Sequence, residues 1–300
     1  MERGMTAQMT RFWLPMVLAC ALVLAIALAP ARETIVRATE ATSGTITVIH
    51  EAPANPAHQA AFDIIRADAT FSRAKDFFAM FRLPRDLTFR TRSCSGRGGA
   101  WYYEGTVTIC YDYIQNLIDS AASDKRPDWV SQNAAIRGPI ADVVLHEGAH
   151  ALFEFLRVPL LGREEDAADM ISTFAILNLF RSEAAMLVNG VAYSYLVDAS
   201  MRTFTDTPAL EERVVPSRAY GGAHSTALQR LYSIVCHASG FDEVAYRELV
   251  TLSDLPAWRA SGCGEEYKQI THAFVSLLAP HVNREKATAL FPDSGFLTVP

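Results

Sequence analysis

His146 and His150 stand four residues apart in Val144-Leu-His-Glu-Gly-Ala-His150, with Glu147 between them. Four residues is little more than one helical turn, so on a helix both imidazoles leave the same face. Two neutral imidazoles placed this way can grip one zinc ion. A carboxylate one residue past the first can then reach a water held by that ion and take its proton. This is hydrolytic chemistry. With eight histidines in the chain, chance alone would place His-Glu-x-x-His in about one such sequence in a hundred. The surroundings argue against accident. Leu145, Ala149, Leu152 and Leu156 make one apolar stripe, and Val144, Gly148, Ala151 and Phe155 make another. A helix apolar on most of its circumference is buried, and buried polar groups need partners. A metal ion satisfies all three.

Zinc that keeps an open position for water needs a third protein ligand. Pro159 and Gly162 break the first helix, and Glu164-Glu-Asp-Ala-Ala-Asp169 begins another. The residues Val158–Arg163 between them can span about 20 Å, enough to bring the chain back beside the histidines. Glu165 is the expected third ligand, with Glu164 as the fallback. Asp169 shares the face of Glu165 and is expected to orient a histidine through its other ring nitrogen. Acidic residues in a first turn are also favoured by the helix dipole, which accounts for Glu164 and Asp166 without chemistry.

His146-Glu-x-x-His150 followed by Glu165-x-x-Ala-Asp169 resembles the gluzincin pattern of zincins, in which a glutamate on the next helix completes the zinc site. Leu-His-Glu-Gly-Ala-His-Ala-Leu-Phe together with Leu161-Gly-Arg-Glu-Glu-Asp-Ala-Ala-Asp169 more closely resembles a bacterial metallopeptidase family of unknown function. The similarity continues through Leu83-Pro, Cys94, Cys110-Tyr, His224 with Gln229-Arg-Leu-Tyr232, and Cys236, and so covers roughly residues 45–280. It implies a zinc hydrolase fold with undefined substrates. Tyr220-Gly-Gly-Ala-His224 is also similar to a Gly-Gly-x-His in the C-terminal lobe of thermolysin, where the histidine stabilises the transition-state oxyanion. That likeness implies a catalytic role for His224, with Tyr220 or Tyr232 as alternatives.

The flanking elements must position these groups. Thr45–His50, Leu87–Arg92 and Trp101–Cys110 read as strands, and Gln59–Phe81 as one or two helices whose phenylalanines are core. Tyr111–Ala122 reads as a helix, and Gly138-Pro139 as the start of the site helix. Downstream, Ala184–Phe204 is rich in small residues and reads as packing. Thr226–Ala238 and Glu265–Ala279 are helical, and Gly262-Cys-Gly is a turn. The expected class is α+β, predominantly α-helical and zincin-like. A small N-terminal sheet precedes the active-site helix and a helical C-terminal lobe, with lobes at 44–122 and 138–282. An edge strand beside the site can bind an extended peptide by strand addition.

Three hundred residues, half of them hydrophobic, suffice for a sizeable core. Phe12–Pro30 is nearly uncharged, and at 1.5 Å per residue it spans about 28 Å, close to a bilayer core. Arg3 and Arg11 precede it and Ala29-Pro-Ala31 offers a small-residue cleavage site. Residues 1–31 are therefore expected to be a signal peptide or membrane anchor, and 32–300 an exported domain, periplasmic or secreted. Four cysteines follow that segment. Pairing by proximity gives Cys94–Cys110 and Cys236–Cys263, each stabilising by about 3 kcal/mol in the loop-entropy picture. Such usage fits an oxidising compartment. A net charge of −6 argues against nucleic acid as a partner and leaves membrane contact to the N-terminal segment. The reading is an exported zinc peptidase with one zinc per chain, acting on a peptide or protein. The rivals are a zinc hydrolase of a cell-wall or other non-peptide amide, and a non-catalytic, zinc-stabilised binding module.

Overall fold

The computed structural model describes residues 43–291 except 96–97, 124–125 and 204–221, together with the side chains of 200–203. The apolar segment 12–30, its cleavage site and Tyr220 lie outside the described residues. Four strands form one mixed sheet: β1 (Ile46–His50), β2 (Leu87–Arg92), β3 (Ala100–Tyr103) and β4 (Thr106–Cys110). Their order is β1-β2-β4-β3, with β1, β2 and β4 parallel and β3 antiparallel to β4. Alternation explains the buried face: Leu87, Phe89 and Thr91 of β2 turn inward while Thr88 and Arg90 do not. The β3–β4 hairpin turns on Glu104-Gly105, both at positive φ (43° and 80°), the backbone of a tight two-residue turn. Among the described residues β3 is one edge of this sheet and β1 the other.

Between β1 and β2 lie α1 (Gln59–Ala67) and α2 (Thr70–Ala79), so the stretch read as one or two helices is two. Phe71, Phe77 and Phe78 of α2 are buried, as is Phe81 beyond it. After β4 come α3 (Tyr111–Ala121), α4 (Gln132–Leu156), α5 (Glu164–Leu179) and α6 (Ala184–Thr203). The C-terminal part is α7 (Ala227–Phe241), α8 (Glu243–Leu252), the short α9 (Ala257–Ala260), α10 (Cys263–Leu278) and α11 (Arg284–Leu290). The chain is thus predominantly helical, with its small sheet near the N-terminal end.

Helix α4 is the hub, in contact with α2, α3, α5, α6, β3 and β4. It begins earlier than Gly138-Pro139 suggests. Ser131 caps it by accepting from the Ala134 N–H at 3.0 Å, and Pro139 lies inside the helix. The reason is packing. Gly138 marks where α6 crosses α4 at Gly190, close enough that a methyl group on Gly138 would lie 2.8 Å from the Gly190 Cα. Gly148 likewise admits the buried Phe78 ring, which would stand 2.2 Å from an added Cβ. Burial on all sides holds the helix through the proline, whose missing N–H removes one bond to the preceding turn. Helix α4 ends at Arg157, in the left-handed conformation with φ 51°.

Both expected disulfides are present, with Cα–Cα separations of 5.5 Å for Cys94–Cys110 and 5.0 Å for Cys236–Cys263. Gly262-Cys-Gly is a helix start rather than a free turn, since α10 begins at Cys263. No single helix among the described residues is long and apolar enough to cross a membrane.

Candidate metal centre

Helix α4 carries Asp142, His146 and His150 at intervals of four, one line along its inner face. The first turn of α5 meets that line. His146 Nε2 lies 3.0 Å from Glu165 Oε2, and His150 Nε2 lies 3.5 Å from the same oxygen. One donor atom from each of His146, His150 and Glu165 falls within 4.8 Å of the others. Two imidazoles and a carboxylate on adjacent helices, with His146 only 2% exposed, are a donor set that could hold a metal ion. Glu164 reaches the other side of His150, 2.7 Å from Nδ1. The two neighbouring glutamates therefore do different things: Glu165 faces the histidines' inner nitrogens and Glu164 an outer one.

Asp169, one turn further along α5, accepts from His146 Nδ1 at 2.7 Å. That bond fixes which ring nitrogen is left for a metal. Asp169 is itself held by the Arg230 guanidinium, whose Nε donates to Oδ2 at 2.7 Å. Arg230 lies 4.6 Å over the Tyr195 ring. The Tyr195 hydroxyl donates to Asp142 Oδ2 at 2.8 Å, and Ser172 donates to Asp142 Oδ1 at 2.6 Å. Asp142, Asp169, Tyr195 and Arg230 line a cavity of about 10 Å³, roughly the room one water needs. Four helices thus support one imidazole. Asp142, Ser172, Tyr195 and Arg230 carry no recognisable spacing of their own. Only Asp142, four residues before His146 and polar in an apolar stripe, left a signal in the sequence.

Charge follows from these contacts. Burial lowers the pKa of His146, but hydrogen bonds to Asp169 and Glu165 more than offset it and raise it to about 10. The same His146 bond holds the Glu165 carboxyl below its usual range. Burial works to raise Asp169, yet His146 and Arg230 bring it down. Asp142 is pushed up by burial and then by Asp169.

Glu147 is also pushed up, first by burial and then by Glu165, against the lowering effect of both histidines. The backbone of Tyr102 on edge strand β3 also works to lower it. That strand is fastened to α4: the Tyr102 hydroxyl donates to Glu154, which also pairs with Arg85. His224, on the bend before α7, brings Nε2 to 2.8 Å from Glu165 Oε2. Its ring stacks on His146 at 5.9 Å between centroids and 15° between planes. Tyr232 packs partly buried against the core.

Asp169→Asn is expected to keep the fold and weaken any metal binding at this centre by about 10–100-fold, because the imidazole loses the anion that orients it. Competition against a chromogenic chelator measures this. Unchanged affinity would mean that Asp169 serves only to neutralise Arg230.

Comparison with curated proteins and with solved structures returned no match. A family model described as "Putative metallopeptidase" does match, over residues 50–278. That span runs from the end of β1 to the end of α10 and contains every residue of the centre, two histidines and a glutamate among them that could hold the metal such an enzyme requires. By that match, the chain belongs to this metallopeptidase family.

Proposed function

We propose that the chain is an exported zinc peptidase of gluzincin type, with His146, His150 and Glu165 as ligands and Glu147 as general base. One observation carries the reading: Glu165 Oε2 sits within 3.0 and 3.5 Å of the inner nitrogens of both histidines, while Glu147 on the same helix feels the backbone of an edge strand. A metal bound there would supply Lewis acidity, lowering the pKa of the attacking water and polarising the scissile carbonyl.

The chain's own residues do the rest. Glu147 takes a proton from the attacking water at its carboxylate and returns it to the leaving amine. Burial favours this by raising its proton affinity. Asp169 keeps the His146 ring oriented, with Arg230 behind it. His224 is a candidate donor to the developing oxyanion.

The edge strand supports a peptide substrate. The Gly99 carbonyl accepts from the Cys110 N–H. In the alternating antiparallel ladder, Trp101 and Tyr103 therefore turn their main-chain groups to β4, and Ala100 and Tyr102 turn theirs to the open edge. An extended peptide added along β3 would run past Tyr102, whose backbone acts on Glu147. The two disulfides support export, since such bonds persist in oxidising compartments.

Metal content of the purified full-length chain, with His146→Ala alongside, tests the centre. About one zinc per chain in the parent and none in the variant is expected. No zinc in either, after reconstitution, would sink the reading. Release of product from peptidoglycan but not from peptides would move the substrate to a cell-wall amide.

A further inference from the structure

We propose that edge strand β3 selects an extended peptide with large apolar side chains at alternate positions, read by the exposed rings of Trp101 and Tyr103; this rests on the peptidase reading above. The strand divides its side chains by a period of two. Tyr102 is tied down on one face. Its hydroxyl donates to Glu154 and accepts from the Gly105 N–H at 3.1 Å, and its ring meets Phe155 edge-on at 6.4 Å between centroids. Trp101 and Tyr103 take the other face and are 40% and 66% exposed. Sheet edges are ordinarily blunted by charge or proline. Ala100-Trp-Tyr-Tyr103 carries neither, and Ala100 and Tyr102 turn main-chain groups to the open side. An extended backbone is what such a row of donors and acceptors fits, which commits the occupant to a peptide.

Register then places the peptide's side chains. Across β4, Trp101 stands opposite Thr108 and Tyr103 opposite Thr106. Threonines are too small to cover an indole and a phenol, so each ring keeps an apolar flank toward the open edge. A strand added there continues both rows. Two of its residues, two apart in sequence, fall beside the rings with Cβ atoms about 4.5–5.5 Å away. A leucine or an aromatic side chain at those places removes the flanks from water, and a serine does not. Tyr102, between the two rings, acts on Glu147 through its backbone, which sets this selection beside the candidate base.

Fluorescence anisotropy on the full-length chain, stripped of metal by a chelator so that nothing is cleaved, tests the selection apart from the zinc chemistry. The probes are fluorescein-labelled Lys-Leu-Thr-Leu-Thr-Lys and Lys-Ser-Thr-Ser-Thr-Lys. The leucine peptide is expected to bind about 3–30-fold tighter, the ratio for two cross-strand pairs. In the double variant Trp101→Thr, Tyr103→Thr the preference should vanish, with the melting temperature unchanged because threonine suits an exposed strand. Equal binding of the two peptides by the parent, or a preference that survives in the double variant, would overturn the proposal. So would dimerisation of the parent that the double variant abolishes, since β3 would then pair with a second copy. The metal content measured above decides the peptidase reading separately.

Discussion

Glu147→Gln is expected to slow hydrolysis by about 10²–10⁴-fold, the range that a positioned general base supplies, while zinc content stays at the parental level. Glutamine has the size of glutamate, and the tie between α4 and β3 through Tyr102 and Glu154 does not involve position 147. What glutamine loses is the capacity to hold a proton. Because burial raises the pKa of Glu147, the native carboxylate is a stronger base than an exposed one, which sharpens the contrast with an amide. The measurement pairs kcat on any cleaved peptide with metal analysis of the same preparation. Full activity in the variant would remove Glu147 from the chemistry. Loss of zinc along with activity would make it a structural residue.

Gly190→Ala is expected to have the largest effect on stability, although it lies far from the catalytic motif in sequence. A methyl group there would fall 1.9 Å from the Ala134 carbonyl oxygen and 3.2 Å from the Gly138 Cα. These are backbone atoms of α4, which cannot rotate aside as a side chain might. The two helices must part, and α4 carries the histidines. Overpacking of a core usually costs about 1–3 kcal/mol, and a backbone clash belongs at the upper end. At about 2–4 °C per kcal/mol for a domain of this size, the melting temperature should fall by roughly 6–12 °C. Gly264→Ala is the control, since nothing lies within 4 Å of its added Cβ; it should melt at or slightly above the parental temperature. Equal melting of Gly190→Ala and the parent would show that the crossing is looser than its geometry indicates.

These cases show where sequence reasoning reached. The line of His146 and His150, and the preference for Glu165 over Glu164 at the inner nitrogens, follow from helical period and the length of one connection. Both are local quantities. Strands, the cystine pairs and most helices were legible for the same reason. The start of α4 was not, because Gly138-Pro139 has the chemistry of a helix start but the packing role of a crossing point. Packing between α4 and α6 is decided by residues more than 50 positions apart, and local signals lose to it. The support around Asp169 was hidden in the same way. Arg230 and Tyr195 come from helices with no periodic relation to the motif, and only folding brings them behind His146.

The pairing of His146 with both Asp169 and Glu165 has a consequence for how the enzyme comes alive. With its pKa raised to about 10, that ring carries a proton at neutral pH whenever metal is absent. Folding of the empty protein is therefore stabilised by this proton fully below about pH 6.5, and the stabilisation fades as pH rises through about 10. The two carboxylates never face each other uncompensated, because the empty chain already holds a cation between them. In the zinc peptidase proposed above, loading would be an exchange of one cation for another, the His146 proton for the metal. Acidification reverses the trade, and each unit of falling pH should weaken apparent zinc affinity about tenfold. The two carboxylates that favour this proton, Glu165 and Asp169, would thus also let a mildly acidic surrounding loosen the metal.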